Sequence, residues 1–119
     1  MKYLHRMKAL ESYRAARILL KEDLVYPSYV MLKEATRSTL AYINEDLQGK
    51  DYSEKTKMRT LLEDAPAVLI QNVDMDIFNI FIEMDKKGLD GIMAIEIDEL
   101  KKIRRTLKKI MGVYLDADI

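Results

Sequence analysis

Apolar side chains recur at steps of three and four along nearly the whole chain, and no stretch alternates apolar with polar residues as a half-buried strand would. An α-helix turns once in about 3.6 residues, so this spacing gives each segment one apolar stripe. Such stripes must be buried against one another. Only four glycines and two prolines interrupt 119 residues, and the abundant Ala, Leu, Glu, Lys, Arg and Met all favour helix.

Between about Lys2 and Asp23 the stripe is Tyr3, Met7, Leu10, Tyr13, Ala16, Leu20 and Leu24, and Pro27 ends the run. Ser28 is placed to cap a second helix from about Tyr29 to Leu47, with Leu32, Thr36, Leu40 and Ile43 inward. Gly49 then supplies a left-handed stop. Residues Ser53 to Thr56 open a third, shorter helix with Met58, Leu61 and Leu62 inward, ending before Pro66.

A fourth helix starts at about Ala67 or Asp74 and reaches Lys87. Val73, Ile77, Phe81 and Met84 line one side and Phe78 and Ile82 a second, which predicts the most buried element. Val68 to Val73 reads equally as a helical turn or a linker. Gly88 and Gly91 bracket the next connection. The last helix, about Ala94 to Leu115, turns Ile97, Leu100, Ile103, Leu107, Ile110, Met111 and Tyr114 inward. Its acids come first and its bases later, as the helix dipole prefers. The chain is thus expected to be all-α, a four- to five-helix up-and-down bundle formed by residues 1–119 as one domain.

Twenty basic and twenty acidic side chains cancel, whereas a dedicated nucleic-acid binder usually carries a basic excess. Cysteine is absent, which excludes disulfides and thiol nucleophiles. The N-terminus lacks the apolar core of a signal peptide, and the longest apolar run, Ala65 to Ile70, is too short for a membrane span. A cytoplasmic protein without membrane contact is the expectation.

Residue types limit the catalytic and metal-binding patterns open to this chain. A single histidine, His5, rules out His-pair zinc sites and a Glu-x-x-His di-iron bundle, and its basic surroundings read as an exposed helix face. Asp74 and Asp76 fit a helix cap better than a cation site, and Asp116 and Asp118 fit a frayed terminus. No glycine-rich phosphate loop occurs, and no serine has a histidine base. No catalytic residue, metal ligand or cofactor is therefore expected.

One charge run remains: Lys101, Lys102, Arg104, Arg105, Lys108 and Lys109, six bases with no acid between them. Lys101, Arg104, Arg105 and Lys108 share a helix face, which serves either as an ordinary solvated surface or as a binding face for phosphates or an acidic partner. No aromatic residues interleave with them to stack bases. The seven tyrosines and eight methionines read as core filling. The wide stripes of helices one, two and four also leave apolar surface for a second copy of the chain.

The runs Ala15-Ala16-Arg17-Ile18-Leu19-Leu20, Val25-Tyr26-Pro27-Ser28-Tyr29, Leu32-Lys33-Glu34-Ala35 and Leu40-Ala41-Tyr42-Ile43 together resemble the first helix pair of a HEPN domain. Gly49 with Lys55 to Leu62 is similar to that family's next loop and short helix, and Ile97 to Tyr114 to its closing helix. The resemblance implies a four- or five-helix bundle that dimerises. Some members are toxins or ribonucleases, and others partner nucleotidyltransferases. The family's ribonuclease signature, Arg followed after four to six residues by His, is missing, since no histidine follows any arginine here. What the resemblance leaves is a non-catalytic homodimer acting with a second protein, as in nucleotidyltransferase or toxin–antitoxin pairs, or binding a nucleotide. The residues themselves offer an alternative, an RNA-binding module using the basic face of the last helix.

Overall fold

Helix α2 (Val25–Gln48) forms the centre of the molecule, and every residue from Ala35 to Ala41 is buried. The computed structural model describes residues 1–119. Around α2 stand α1 (Lys2–Lys21), α3 (Met58–Glu63), α4 (Ala67–Asn72), a 3-10 turn (Met75–Phe78), α5 (Asn79–Met93) and α6 (Ile97–Tyr114), with no strand. The protein is an all-α helical bundle. Its radius of gyration, 13.3 Å, is that of a folded chain of this length, about 13.5 Å. None of its helices is long and apolar enough to cross a membrane.

Helix α1 lies antiparallel to both long neighbours. Lys2 at its start pairs with Asp46 at the end of α2. Along α6 the contacts run Arg6 to Leu115, Tyr13 to Arg104 and Asp23 to Lys101. Against α2, by contrast, Tyr29 meets Phe81 and Lys33 meets Asp85, so α5 follows α2 in the same sense. The short helices α3 and α4 carry the chain back to make this possible. They also raise the helix number above the expected four or five.

Several boundaries differ from the sequence reading for local reasons. Helix α1 stops at Lys21, two residues short of the expected Asp23, because Asp23 takes a left-handed conformation (φ 57°). Pro27 falls in the first turn of α2, where its missing N–H would have had no partner anyway. Ser28 therefore caps nothing and is buried within the helix. Residues Ser53 to Thr56 form a turn, with α3 starting only at Met58. Helix α5 continues past Gly88, which breaks it with φ 74° and ψ −161°, a conformation open only to glycine. Gly49 ends α2 in the left-handed conformation expected of it (φ 67°).

The most buried element is α2, not the helix bearing Phe81. Its neighbour α1 presents His5, Ala9, Tyr13, Ala16 and Leu20 to the core, while Tyr3 is 76% and Met7 48% exposed. Ala9 and Ala16 are small enough to be wholly buried in this face, and Tyr3 and Met7 lie outside it. Helix α6 buries Leu100, Ile103, Leu107, Ile110 and Met111. Its last turn carries no base; instead Arg6 of α1 donates to the Leu115 carbonyl through Nε (3.1 Å) and Nη2 (2.8 Å).

His5 is fully buried rather than exposed. Its Nε2 lies 2.9 Å from the Tyr52 carbonyl and 3.3 Å from Glu45 Oε1. Glu45 Oε1 also accepts the Tyr52 N–H at 2.8 Å, and the Tyr52 hydroxyl donates to Asp64 at 2.8 Å. The four side chains clamp the 49–57 connection against α1 and α2.

Burial pushes the Tyr52 phenol up to about 12, helped by its bond to Asp64, and burial with the nearby Asp85 charge pushes Tyr29 up to about 12. Both folded values exceed the ordinary phenol value of about 10, so the folded state binds the phenolic protons more tightly. The corresponding stability is complete below about pH 10 and is lost as pH rises towards 12. In an absorbance titration two of the seven tyrosines are expected to ionise late, with the onset of unfolding, and Tyr29→Phe to remove one of them. Seven tyrosines titrating together near pH 10 in folded protein would contradict this.

Candidate functional site

The basic run of α6 lies beside the last turns of α1, and the two helices enclose a groove of about 240 Å³. Its walls are Arg17 and Lys21 from α1 and Lys101, Arg104 and Arg105 from α6, with the buried Leu20 beneath. These side chains meet because α1 and α6 are antiparallel, which places the end of one against the start of the other. Leu20 and Tyr13 on α1, and Leu100, Ile103 and Leu107 on α6, are core residues. Burying them turns the interleaved bases outward on both helices.

Tyr13 fixes one of these bases. Its ring is fully buried and its hydroxyl accepts a hydrogen bond from Arg104 Nη1 at 3.0 Å. A guanidinium has five N–H donors, so Arg104 keeps most of its fork for an external acceptor while one arm is held. Lys101 has one acidic neighbour, Asp23, at 3.8 Å, and that carboxylate is largely exposed. No carboxylate lies within 4.0 Å of Arg17, Lys21, Arg104 or Arg105. Five cations therefore face one acid in a chain whose total charge is zero.

Of the four residues expected from the sequence, the structure brings Lys101, Arg104 and Arg105 into the groove. Lys108 is exposed one turn beyond it, on the same face of α6. Arg17 and Lys21 escaped the sequence reading, although Arg14, Arg17 and Lys21 recur at helical spacing and form a second basic stripe. Nothing in one dimension places that stripe beside α6.

Arginine and lysine stay protonated at neutral pH, so the groove offers positive potential and many donors rather than acid–base chemistry. Its volume is below the roughly 300–1,000 Å³ of pockets that enclose small ligands. A shallow basic groove of this kind suits a segment of a charged polymer. Elsewhere, Asp74 acts as the expected cap, accepting from the Asp76 N–H at 3.2 Å, and no group of three or more potential ligands is gathered for a metal. No protein family, curated protein or solved structure matches this chain.

Proposed function

We propose that this chain is a non-catalytic binding module whose α1–α6 groove holds the phosphodiester backbone of RNA. The observation that carries the reading is the convergence of Arg17, Lys21, Lys101, Arg104 and Arg105 from two helices, with Asp23 as the single opposing acid. Phosphate oxygens suit arginine forks and lysine ammonium groups. The absence of aromatic residues from the groove walls favours backbone contact over base stacking, hence weak dependence on sequence. A labelled RNA oligonucleotide titrated with the protein and followed by fluorescence anisotropy tests this directly. Binding that weakens steadily with added salt is the expected result. No binding at low salt would end the proposal.

A second reading, the HEPN-like homodimer that acts with another protein, is supported by a separate observation. Tyr3, Met7 and Ile18 lie within about 60° of one another on the α1 helical wheel and are 76%, 48% and 58% exposed. Such a stripe on the outside of a bundle fits a self-association seam. Light scattering over a range of concentrations should then give twice the monomer mass. A monomer at every concentration would exclude the homodimer.

A further inference from the structure

A second basic site lies away from the α1–α6 groove, and its members are spread over four elements. Lys33 and Arg37 come from α2, Lys55 and Lys57 from the connection that follows, Arg59 from α3, and Lys86 from α5. Together they surround a cleft of about 460 Å³, within the range of pockets that take small ligands. Met58 and Ile82 are its only apolar lining residues, and no aromatic side chain lines it to stack on a base.

The ion pairs of the cleft leave a strong positive excess. Its two acids are already engaged, Asp85 with Lys33 and Glu54 with Lys8 at 2.8 Å. Lys8 also holds the Glu54 carboxyl below its usual range, chiefly through their hydrogen bond. No carboxylate lies within 4.0 Å of Lys55, Lys57, Arg59 or Lys86. Four cations thus line the cleft without partners.

Arg37 distinguishes this site from a merely basic surface. It is 9% exposed and lines the cleft. Glu34 accepts from its Nε at 3.2 Å and its Nη2 at 2.9 Å, and Ser38 Oγ braces the same carboxylate at 3.2 Å. Nη1 is buried with no acceptor at all. A buried donor left unpaired is costly and uncommon, and more so on a charged group. Because Arg37 lines the cleft, a small turn of its guanidinium would bring this unpaired donor to an anionic oxygen at the floor.

We propose that this cleft binds a compact, multiply charged phosphate compound, such as a diphosphate or a small phosphorylated sugar, with Arg37 anchoring one phosphate at the floor. Lys55, Lys57, Arg59 and Lys86 surround the remaining charge. Two features favour this class over a nucleotide or a polymer: nine of the eleven lining residues are polar or charged, and the volume is that of a small-ligand pocket. The inference does not rest on RNA binding by the α1–α6 groove.

Calorimetric titration of the full chain with sodium pyrophosphate tests it. The expected result is saturable binding of one pyrophosphate per chain. Lys55→Glu with Lys57→Glu, both at exposed positions where folding is not at risk, should weaken it about a hundredfold, since each charge-assisted contact accounts for about tenfold. Arg37→Lys keeps the charge but loses the fork, and should weaken it about tenfold. Lys102→Glu, at an exposed position outside both basic sites, should leave pyrophosphate binding unchanged. Failure to bind millimolar pyrophosphate would overturn the proposal, as would equal affinity for citrate, which carries charge without phosphate. It would also fall if Lys55→Glu with Lys57→Glu weakened RNA binding and left pyrophosphate binding intact, because the cleft would then belong to the polymer.

Discussion

Phe81→Ala is expected to lower the unfolding free energy by about 3–5 kcal/mol, the usual loss for truncating a buried phenylalanine. Phe81 is fully buried where α5 meets α2. Its ring lies 5.5 Å from that of Tyr29, tilted by 53°, and 6.5 Å from that of Phe78. Aromatic pairs at such separations add about 0.5–1.5 kcal/mol beyond burial, so the upper half of the range is the better guide. Domains of this kind are stable by only about 5–15 kcal/mol in total. The loss should therefore move the thermal midpoint down by about 10–20 °C. Ile18→Ala, at a position 58% exposed, is the control and should cost no more than about 0.5 kcal/mol. Urea unfolding of the two variants measures both. Equal, small effects would mean that Phe81 is not at the centre of the α2–α5 contact.

The second large effect concerns binding. Arg104→Glu with Arg105→Glu replaces two groove cations by carboxylates, and at ~50 mM salt each neutralised phosphate is worth about tenfold in affinity. RNA affinity should fall about a hundredfold or more, because two attractions vanish and repulsion replaces them. The dependence of log affinity on log salt should become shallower by about 1.4, which is about 0.7 per phosphate left unneutralised on a single strand. Arg105 is exposed, but Arg104 also donates to the buried Tyr13 hydroxyl, so circular dichroism must show the helix content unchanged. Arg17→Glu, which leaves that bond intact, provides the independent check and should lower affinity about tenfold. Unchanged affinity in both proteins would remove the groove from consideration.

Periodicity made the helices legible because each long helix buries one stripe. The α6 face of Leu100, Ile103, Leu107, Ile110 and Met111 is buried as its spacing predicts, and Gly49 ends α2 where only a left-handed residue fits. The face of α1 was legible only in its second half, where Tyr13, Ala16 and Leu20 are buried as the stripe predicts; in the first half His5 and Ala9 face the core in place of Tyr3 and Met7. His5 is buried because its acceptors, Tyr52 and Glu45, arrive from about forty or more residues away. A local sequence window does not contain them.

The candidate site divides along the same line. Its α6 half lies in a contiguous run and was visible as charge; its α1 half, Arg17 and Lys21, joins only through the antiparallel packing of α1 on α6. The Arg37 cleft was wholly hidden, since its members extend from Lys33 to Lys86. Arg37 itself sits in the fully buried run of α2 and gives no sign of its unpaired donor before its neighbours are placed.

The most direct test of RNA binding through the α1–α6 groove is a two-dimensional amide spectrum of nitrogen-15-labelled protein, recorded with and without a single-stranded RNA oligonucleotide. Amide shifts concentrated at residues 17–21 of α1 and 101–108 of α6, and reversed by salt, are the predicted result. Shifts concentrated elsewhere, or none at saturating RNA, would contradict the assignment of this groove as the binding site.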